Sequence, residues 1–347
     1  LKIYTGTVSI YLRFRGPVDQ IELHSNGLII EKAEFLERLV LSNSVSVSKI
    51  STSFGRETIT IHTNRTIESE EEFMLQITYR GVAKMDEYGL YESWDPKLNK
   101  SLDSNGPFVL ASRNFPTGAR YWFPCIDEPE RNATFELQVN HPSGLSAYSN
   151  TEVKKSESAG NGRKLTSFEK TRSMPTYQLA LSVNHLSVTS FNVKGFKKVR
   201  LVRSKNAPDI PSPYLSEEDE KKERYKKDIS KNFTVYLEWQ IENLDKLIAR
   251  EISKEKLDII VLEGSYSHSF QPGLVTLGSH GIFDMHFSRN LTHLLTRNYV
   301  NTRHSNHLWL NKMLGNVFKK ELRTWLSLFD SFPDEILFSS LHEKPVR

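Results

Sequence analysis

Between residues 268 and 307 the chain carries six histidines, His268, His280, His286, His293, His304 and His307. Imidazole is the commonest protein ligand for transition metals, and His304 and His307, three residues apart, share a face if their segment is helical. His293 joins them only if two helices pack closely. Water activation also needs a carboxylate base, and no Asp or Glu stands between Asp284 and Glu321. A relocated metal site on these histidines stays open, set against the plainer reading of surface or hydrogen-bonded core histidines. Asp127 and Glu128 have the chemistry of a paired acid and base. Just before them stands the one thiol, Cys125, which excludes an internal disulfide framework and any multi-cysteine zinc site. A reactive thiol needs an accessible, electropositive setting, and Pro124 and Ile126 do not supply one. No G-x-S-x-G is present to indicate a serine nucleophile.

Composition narrows the classes further. The length of 347 residues suits two or three domains with separate cores. Lys and Arg total 46 against 42 Asp and Glu, and the two signs interleave along the chain, so no electrostatic footprint for nucleic acid exists. No apolar run approaches the ~20 residues that span a bilayer. The opening Leu1-Lys2-Ile3-Tyr4-Thr5 alternates like a strand instead of forming a signal-peptide core. A start at leucine reads as part of a longer precursor, whose parent is a candidate for membrane anchorage. Asn-x-Ser/Thr sequons at Asn64, Asn99, Asn132, Asn232 and Asn290 fit an extracellular or cell-surface glycoprotein.

The elements that must position these residues follow from apolar spacing. Val8, Ile10 and Leu12 alternate with Thr7, Ser9 and Tyr11, and Phe73, Leu75, Ile77 and Tyr79 alternate with Met74, Gln76 and Thr78, which predicts half-buried strands. Residues 135–139 and 177–183 repeat the pattern, so the first domain is expected to be antiparallel β. Ser156 to Gly162 is rich in turn formers and predicts a mobile hairpin tip. Pro208, Pro211 and Pro213 punctuate the chain before an acidic helix start at Ser216. The densely charged run 217–231 reads as a solvated helical face. Helical spacing from Phe233 to Ile248 precedes a buried strand at 257–262, and the remainder from Phe283 is expected to be mostly helical.

The segment Gly118-Ala119-Arg120-Tyr121-Trp122-Phe123-Pro124-Cys125-Ile126-Asp127-Glu128-Pro129 resembles the A-R-x-x-F-P-C-x-D-E-P signature of the aminopeptidase N family of zinc metallopeptidases. Ala133-Thr134-Phe135, Ser149-Asn150 and Met174 to Ala180 resemble motifs that follow it in that family, and the resemblance runs from Tyr4 to about Trp309. It implies an N-terminal antiparallel β saddle or sandwich over 1–198, then a degenerate thermolysin-like domain over 199–347 that is incomplete at its C-terminal end. It also implies structural roles for Cys125, as a buried free thiol, and for Asp127 and Glu128.

The family's chemistry needs H-E-x-x-H with a ligand glutamate eighteen residues further on. Ser305-Asn306-His307-Leu308-Trp309-Leu310-Asn311-Lys312 is similar to the family's W-N-D-L-W-L-N-E, which puts Lys312 at the third ligand. Counting back places His293 at the second, with Arg289 at the first and Asn290 at the general base. Phe270 stands where the family has the glutamate that holds a peptide's amino terminus, and Arg113 where it has a substrate-binding glutamine. The resemblance therefore implies a protein without catalytic residues, metal or cofactor. Loss of the zinc site is shared with the family's matrix non-peptidase homologues, which are linked to adhesion and migration. The expected partner is a cell-surface or matrix protein; a divergent metallopeptidase and a regulatory partner of an active aminopeptidase are the alternatives. Glycans are expected at Asn64, Asn99, Asn132 and Asn232 but not at Asn290, which lies on the former catalytic helix.

Overall fold

The computed structural model describes residues 2–37, 45–69, 71–83, 88–93, 109–194, 196–204, 256–262 and 268–278, with Glu238 and Met313. They divide into two compact units, Leu1–His185 and Leu186–Arg347. The strands of the first unit are, in chain order, β1 (Lys2–Arg13), β2 (Val18–His24), β3 (Ile29–Glu37), β4 (Val47–Ser53), β5 (Thr58–Ile67), β6 (Glu72–Ala83) and β7 (Gly89–Ser93). They continue as β8 (Val109–Arg113), β9 (Gln138–Pro142), β10 (Ser146–Ser149), β11 (Val153–Gly160), β12 (Arg163–Phe168) and β13 (Leu181–Asn184). Four antiparallel sheets result, ordered β1-β6-β3, β2-β5-β4, β10-β13-β8-β7 and β11-β12-β9.

The period-two pattern decides which face is covered. Along β1, Val8, Ile10 and Leu12 turn toward the core while Thr7, Ser9 and Tyr11 are exposed. On β6, Phe73, Leu75, Ile77 and Tyr79 are buried, and Phe73 meets Phe35 edge to face with ring centroids 5.8 Å apart. Phe73, Leu75 and Ile77 pack with Ile21, Leu23, Ile59 and Ile61 from β2 and β5. A second core, with Trp122, Phe123, Cys125 and Met174, lies under the signature segment.

Three local expectations need correction. Tyr177 and Gln178 lie in a 3-10 turn, Thr176–Gln178, and the strand starts only at Leu181. All four residues of β13 are buried, because polar Ser182 and Asn184 find partners inside: Ser182 Oγ donates to Leu110 O at 2.9 Å and Asn184 Nδ2 to Ser182 Oγ at 3.1 Å. Phe135 and Leu137 do alternate with exposed neighbours, yet ladder pairing begins at Gln138. The hairpin tip is shorter than expected, since β11 runs through Gly160 and only Asn161 and Gly162 turn the chain.

The second unit begins after His185, whereas the sequence reading places the division at 198/199. Its strands are β14 (Ser187–Phe191), β15 (Lys198–Arg203), β16 (Lys256–Leu262), β17 (Ser269–Gln271) and β18 (Leu274–Gly278), in the order β14-β15-β16-β18-β17. Pairing of β14 with β15 carries residues 187–191 into this unit. The middle three strands are parallel, and β16 is buried along its whole length, as the apolar run Ile259-Ile260-Val261-Leu262 predicts for its second half. Asp258, fully buried on β16, takes Arg200 Nε at 2.5 Å and Nη2 at 2.7 Å from its register partner on β15, and Lys256 Nζ at 2.5 Å. Most pairing in the described residues is antiparallel. The helices expected at 216–249 and from 283 onward lie outside them, as do all but Glu238 and Met313 of the residues that would make them.

Candidate functional site

The signature segment leaves β8 at Arg113 and turns sharply. Gly118 N donates to Asn114 O at 2.6 Å, and a Cβ on Gly118 would stand 2.5 Å from Arg113 O, so only glycine fits this approach. A single 3-10 turn, Ala119–Tyr121, then presents Arg120. Its Nε donates to Asp127 Oδ2 at 3.0 Å, Nη1 to Glu57 Oε2 at 3.0 Å, and Nη2 to Asp127 O at 3.4 Å. Thr176 Oγ1 donates to the other Asp127 oxygen at 2.7 Å. Glu57 adopts a left-handed backbone, φ +55°, in the turn between β4 and β5, and its Oε1 receives Tyr121 OH at 3.1 Å and Asn26 Nδ2 at 2.5 Å. Burial pushes the Glu57 carboxyl upward, but the bonds from Tyr121, Arg120 and Asn26 outweigh it and hold the group below the usual carboxylate range.

His24, at the end of β2, closes the far side. Its backbone exchanges bonds with Cys125, N to O at 2.8 Å and O from N at 3.1 Å, and its Nδ1 accepts the Asp127 N–H at 3.2 Å. Burial, then the Arg120 charge, lowers the His24 pKa from its ordinary value. Burial pushes the Cys125 thiol well above the usual range, so at neutral pH it stays a thiol and not a nucleophile.

Motif fragments far apart in sequence meet around this segment. Asn150 brackets the chain at 178–180, donating to Gln178 O and accepting Ala180 N–H, both at 2.8 Å, while Ser149 Oγ donates to Ala180 O at 2.8 Å. Ala133 and Met174 exchange backbone bonds of 3.0 and 2.9 Å. With both oxygens bonded, Asp127 has the chemistry of a clamp and not of a general base. Glu128 is half-buried, its carboxylate 3.8 Å from Arg131 Nε, so the two acids face different partners.

Arg113 ends β8 opposite Gly89 of β7 and is half-buried. Phe270 sits mid-β17 opposite Val275, half-buried between buried Ser269 and Gln271. Asn64 and Asn132 are exposed. Arg289, Asn290, His293, Lys312, Asn99, Asn232 and the histidines from His280 to His307 lie outside the described residues. Among the described residues no three His, Cys, Asp or Glu side chains group as a metal site. The sequence reading missed Glu57, Asn26, His24 and Thr176. Arg120 in the signature calls for a buried counter-charge, but nothing local to Glu57 identifies it as the second acid.

Residues 1–178 match the family model for the peptidase M1 N-terminal domain. The chain belongs to the M1 aminopeptidase family. It is 30% identical over 211 residues to a membrane alanyl aminopeptidase of Manduca sexta, covering 58% of this chain and 20% of that protein. Against human glutamyl aminopeptidase identity is 24% over 344 residues, with 91% and 32% covered. Human aminopeptidase Q shows 26% over 366 aligned positions, 97% of this chain and 34% of the relative. The chain thus spans about a fifth to a third of the length of these relatives.

Proposed function

We propose that this chain is a non-catalytic member of its family, acting outside the cell or at its surface by binding another protein, in adhesion, migration or reception. The reading is carried by the donor set at the family's zinc positions, where Arg289 and Lys312 leave only His293 as a ligand. Each unit charge held ~4 Å from a divalent cation costs on the order of 8 kcal/mol at an effective dielectric of about 20, and Arg289 and Lys312 supply two, so zinc does not fit these residues. Asn290 offers an amide where a proton acceptor is required. Phe270 cannot pair with a peptide's ammonium, and Arg113 repels it. The membrane and ectoenzyme names of the relatives support a surface or extracellular setting; among the described residues no helix is long and apolar enough to cross a membrane.

The test pairs elemental analysis with release of amino acids from N-terminal reporter substrates, followed by a binding screen of the glycosylated protein against cell-surface and matrix ectodomains. No zinc, no turnover and a saturable protein partner are expected. One equivalent of zinc with chelator-sensitive turnover overturns the reading.

A further inference from the structure

The β11–β12 hairpin ends in Asn161-Gly162, with φ of +50° and +68°, the left-handed pair that two-residue Asn-Gly turns adopt. Both residues are exposed, and a Cβ built on Gly160 or Gly162 meets nothing within 4 Å. Most polar groups around the tip are engaged. Gly162 O accepts Ser143 N–H at 2.9 Å, Gly160 N donates to Ser158 Oγ at 3.4 Å, and Arg163 donates to Asn140 through Nε at 2.8 Å and Nη2 at 2.7 Å. Among the described residues the Asn161 side chain and the Gly162 N–H enter no hydrogen bond.

The same dipeptide occurs at Asn105-Gly106, outside the described residues, and at Asn26-Gly27, where tertiary structure treats it oppositely. Asn26 is half-buried, its Nδ2 is held by Glu57 Oε1 at 2.5 Å, and its N–H donates to Arg120 O at 2.9 Å. The Asn26-Gly27 pair is locked into the signature network; the Asn161-Gly162 pair stands free in water.

We propose that Asn161 is a site of spontaneous covalent modification, converted to isoaspartate by its neighbour Gly162, and that the resulting isoaspartyl-Gly-Arg tip is a ligand for a receptor coupling a divalent cation to an acidic pocket. The deprotonated Gly162 nitrogen attacks Asn161 Cγ. An N–Cγ bond forms, the Cγ–Nδ2 bond breaks, and Nδ2 departs as ammonia with protons from solvent, leaving a succinimide. Water opens the ring: addition at the backbone carbonyl routes the chain through Cγ and frees an α-carboxylate, while addition at Cγ gives ordinary aspartate. Water is the only co-reactant. Glycine matters because no side chain shields its nitrogen and its backbone can leave the turn geometry to reach Cγ.

The product carries a carboxylate where a neutral amide stood, one glycine away from the Arg163 guanidinium. A carboxylate is a hard oxygen ligand for a divalent cation, and a guanidinium pairs with carboxylates in a fork geometry. The receptor half rests on the non-catalytic binding function proposed above; the modification half does not.

The test ages the purified chain at mildly alkaline pH and body temperature, then maps peptides by mass spectrometry with isoaspartyl methyltransferase labelling. The Asn161 peptide is expected to gain about one mass unit and accept methyl groups, while the Asn26 peptide stays unchanged and Asn161→Gln stays unlabelled. Aged protein is then expected to bind an immobilised ectodomain of the class that binds Arg-Gly-Asp peptides, in Mn²⁺, at least about tenfold tighter than fresh protein, ~1.4 kcal/mol. EDTA, Asn161→Gln and Arg163→Glu should each abolish the difference. Absence of isoaspartate at Asn161, or equal labelling at Asn26, overturns the modification. Labelled protein that binds no better than fresh overturns the receptor half. Peptidase turnover would overturn the proposed function while leaving the isoaspartate readout standing.

Discussion

Arg120 bridges two acids that the chain supplies from opposite directions, Asp127 seven residues later and Glu57 sixty-three residues earlier, each at 3.0 Å. Its side chain is 11% exposed and that of Asp127 1%, so removing the guanidinium strands a carboxylate away from water. Arg120→Ala is expected to cost about 3–5 kcal/mol, read as a lowered denaturant midpoint of the first unit. Arg120→Lys should recover only part of this, because an ammonium cannot serve both acids in a planar fork. An unchanged midpoint for Arg120→Ala would remove the clamp from the account of the fold.

Acid should loosen the same network. The folded-state pKa values of His24 and Glu57 in that network, and of His141 on β9, whose Nε2 meets Thr166 Oγ1 at 2.9 Å, are all lowered. A lowered value contributes stability that is complete above the unfolded pKa and disappears as pH falls through the folded one. The histidine contributions therefore fade below pH 6.5 and that of Glu57 below pH 4.5. His24→Asn should flatten part of the upper slope, leaving the His141 share, in denaturant midpoints measured across that range. A His24→Asn profile that overlays the wild type would mean the Asp127 N–H to Nδ1 bond carries no linkage.

Gly81 and Tyr4 are matched across β1 and β6, since a Cβ on Gly81 would stand 2.4 Å from the Tyr4 ring. The ring cannot step aside freely because its hydroxyl donates to Trp122 O at 2.9 Å. Gly81→Ala is expected to destabilise by about 1–3 kcal/mol. Adding Tyr4→Ala should then cost less than it does in the wild type, the non-additivity of residues in contact; simple additivity in a double-mutant cycle would contradict the packing.

Glycan mass spectrometry should find Asn64, Asn99, Asn132 and Asn232 occupied. Asn64 Oδ1 accepts Ser46 N–H at 2.8 Å, an arrangement that leaves Nδ2, the atom a glycan takes, outside the bond. Asn290 should be bare, because the family resemblance assigns it to the former catalytic helix, where packing is expected to obstruct a sugar. High occupancy at Asn290 would show that the register drawn from Lys312 is wrong.

Restoring Arg289→His, Asn290→Glu and Lys312→Glu together should yield no efficient peptidase. Catalysis needs placement as well as metal, and Phe270 and Arg113 still fail to hold a substrate's ammonium. Hydrolysis by the triple variant, followed by release of N-terminal residues, would place the loss in the metal site alone.

Local pattern carried a good share of this protein. Alternation in β1 and β6 needs only the two-residue period of a strand to say which side chains face inward, and the run Ile259-Ile260-Val261-Leu262 in β16 announces a strand covered on both faces. The signature from Ala119 to Pro129 identified the family because its residues are contiguous. What tertiary structure alone decided is the fate of polar side chains. Ser182 and Asn184 alternate with apolar neighbours as solvent-facing residues would, yet both are buried, because Leu110 O meets Ser182 and Ser182 in turn meets Asn184. Arg120 advertises a need for counter-charge but not that Glu57 meets it, and the Asn-Gly pairs at Asn26 and Asn161 read alike until the first amide is seen held by Glu57 and the second free. A buried polar group is tolerated only where a partner arrives, and that partner comes from chain distant in sequence, which no local period encodes.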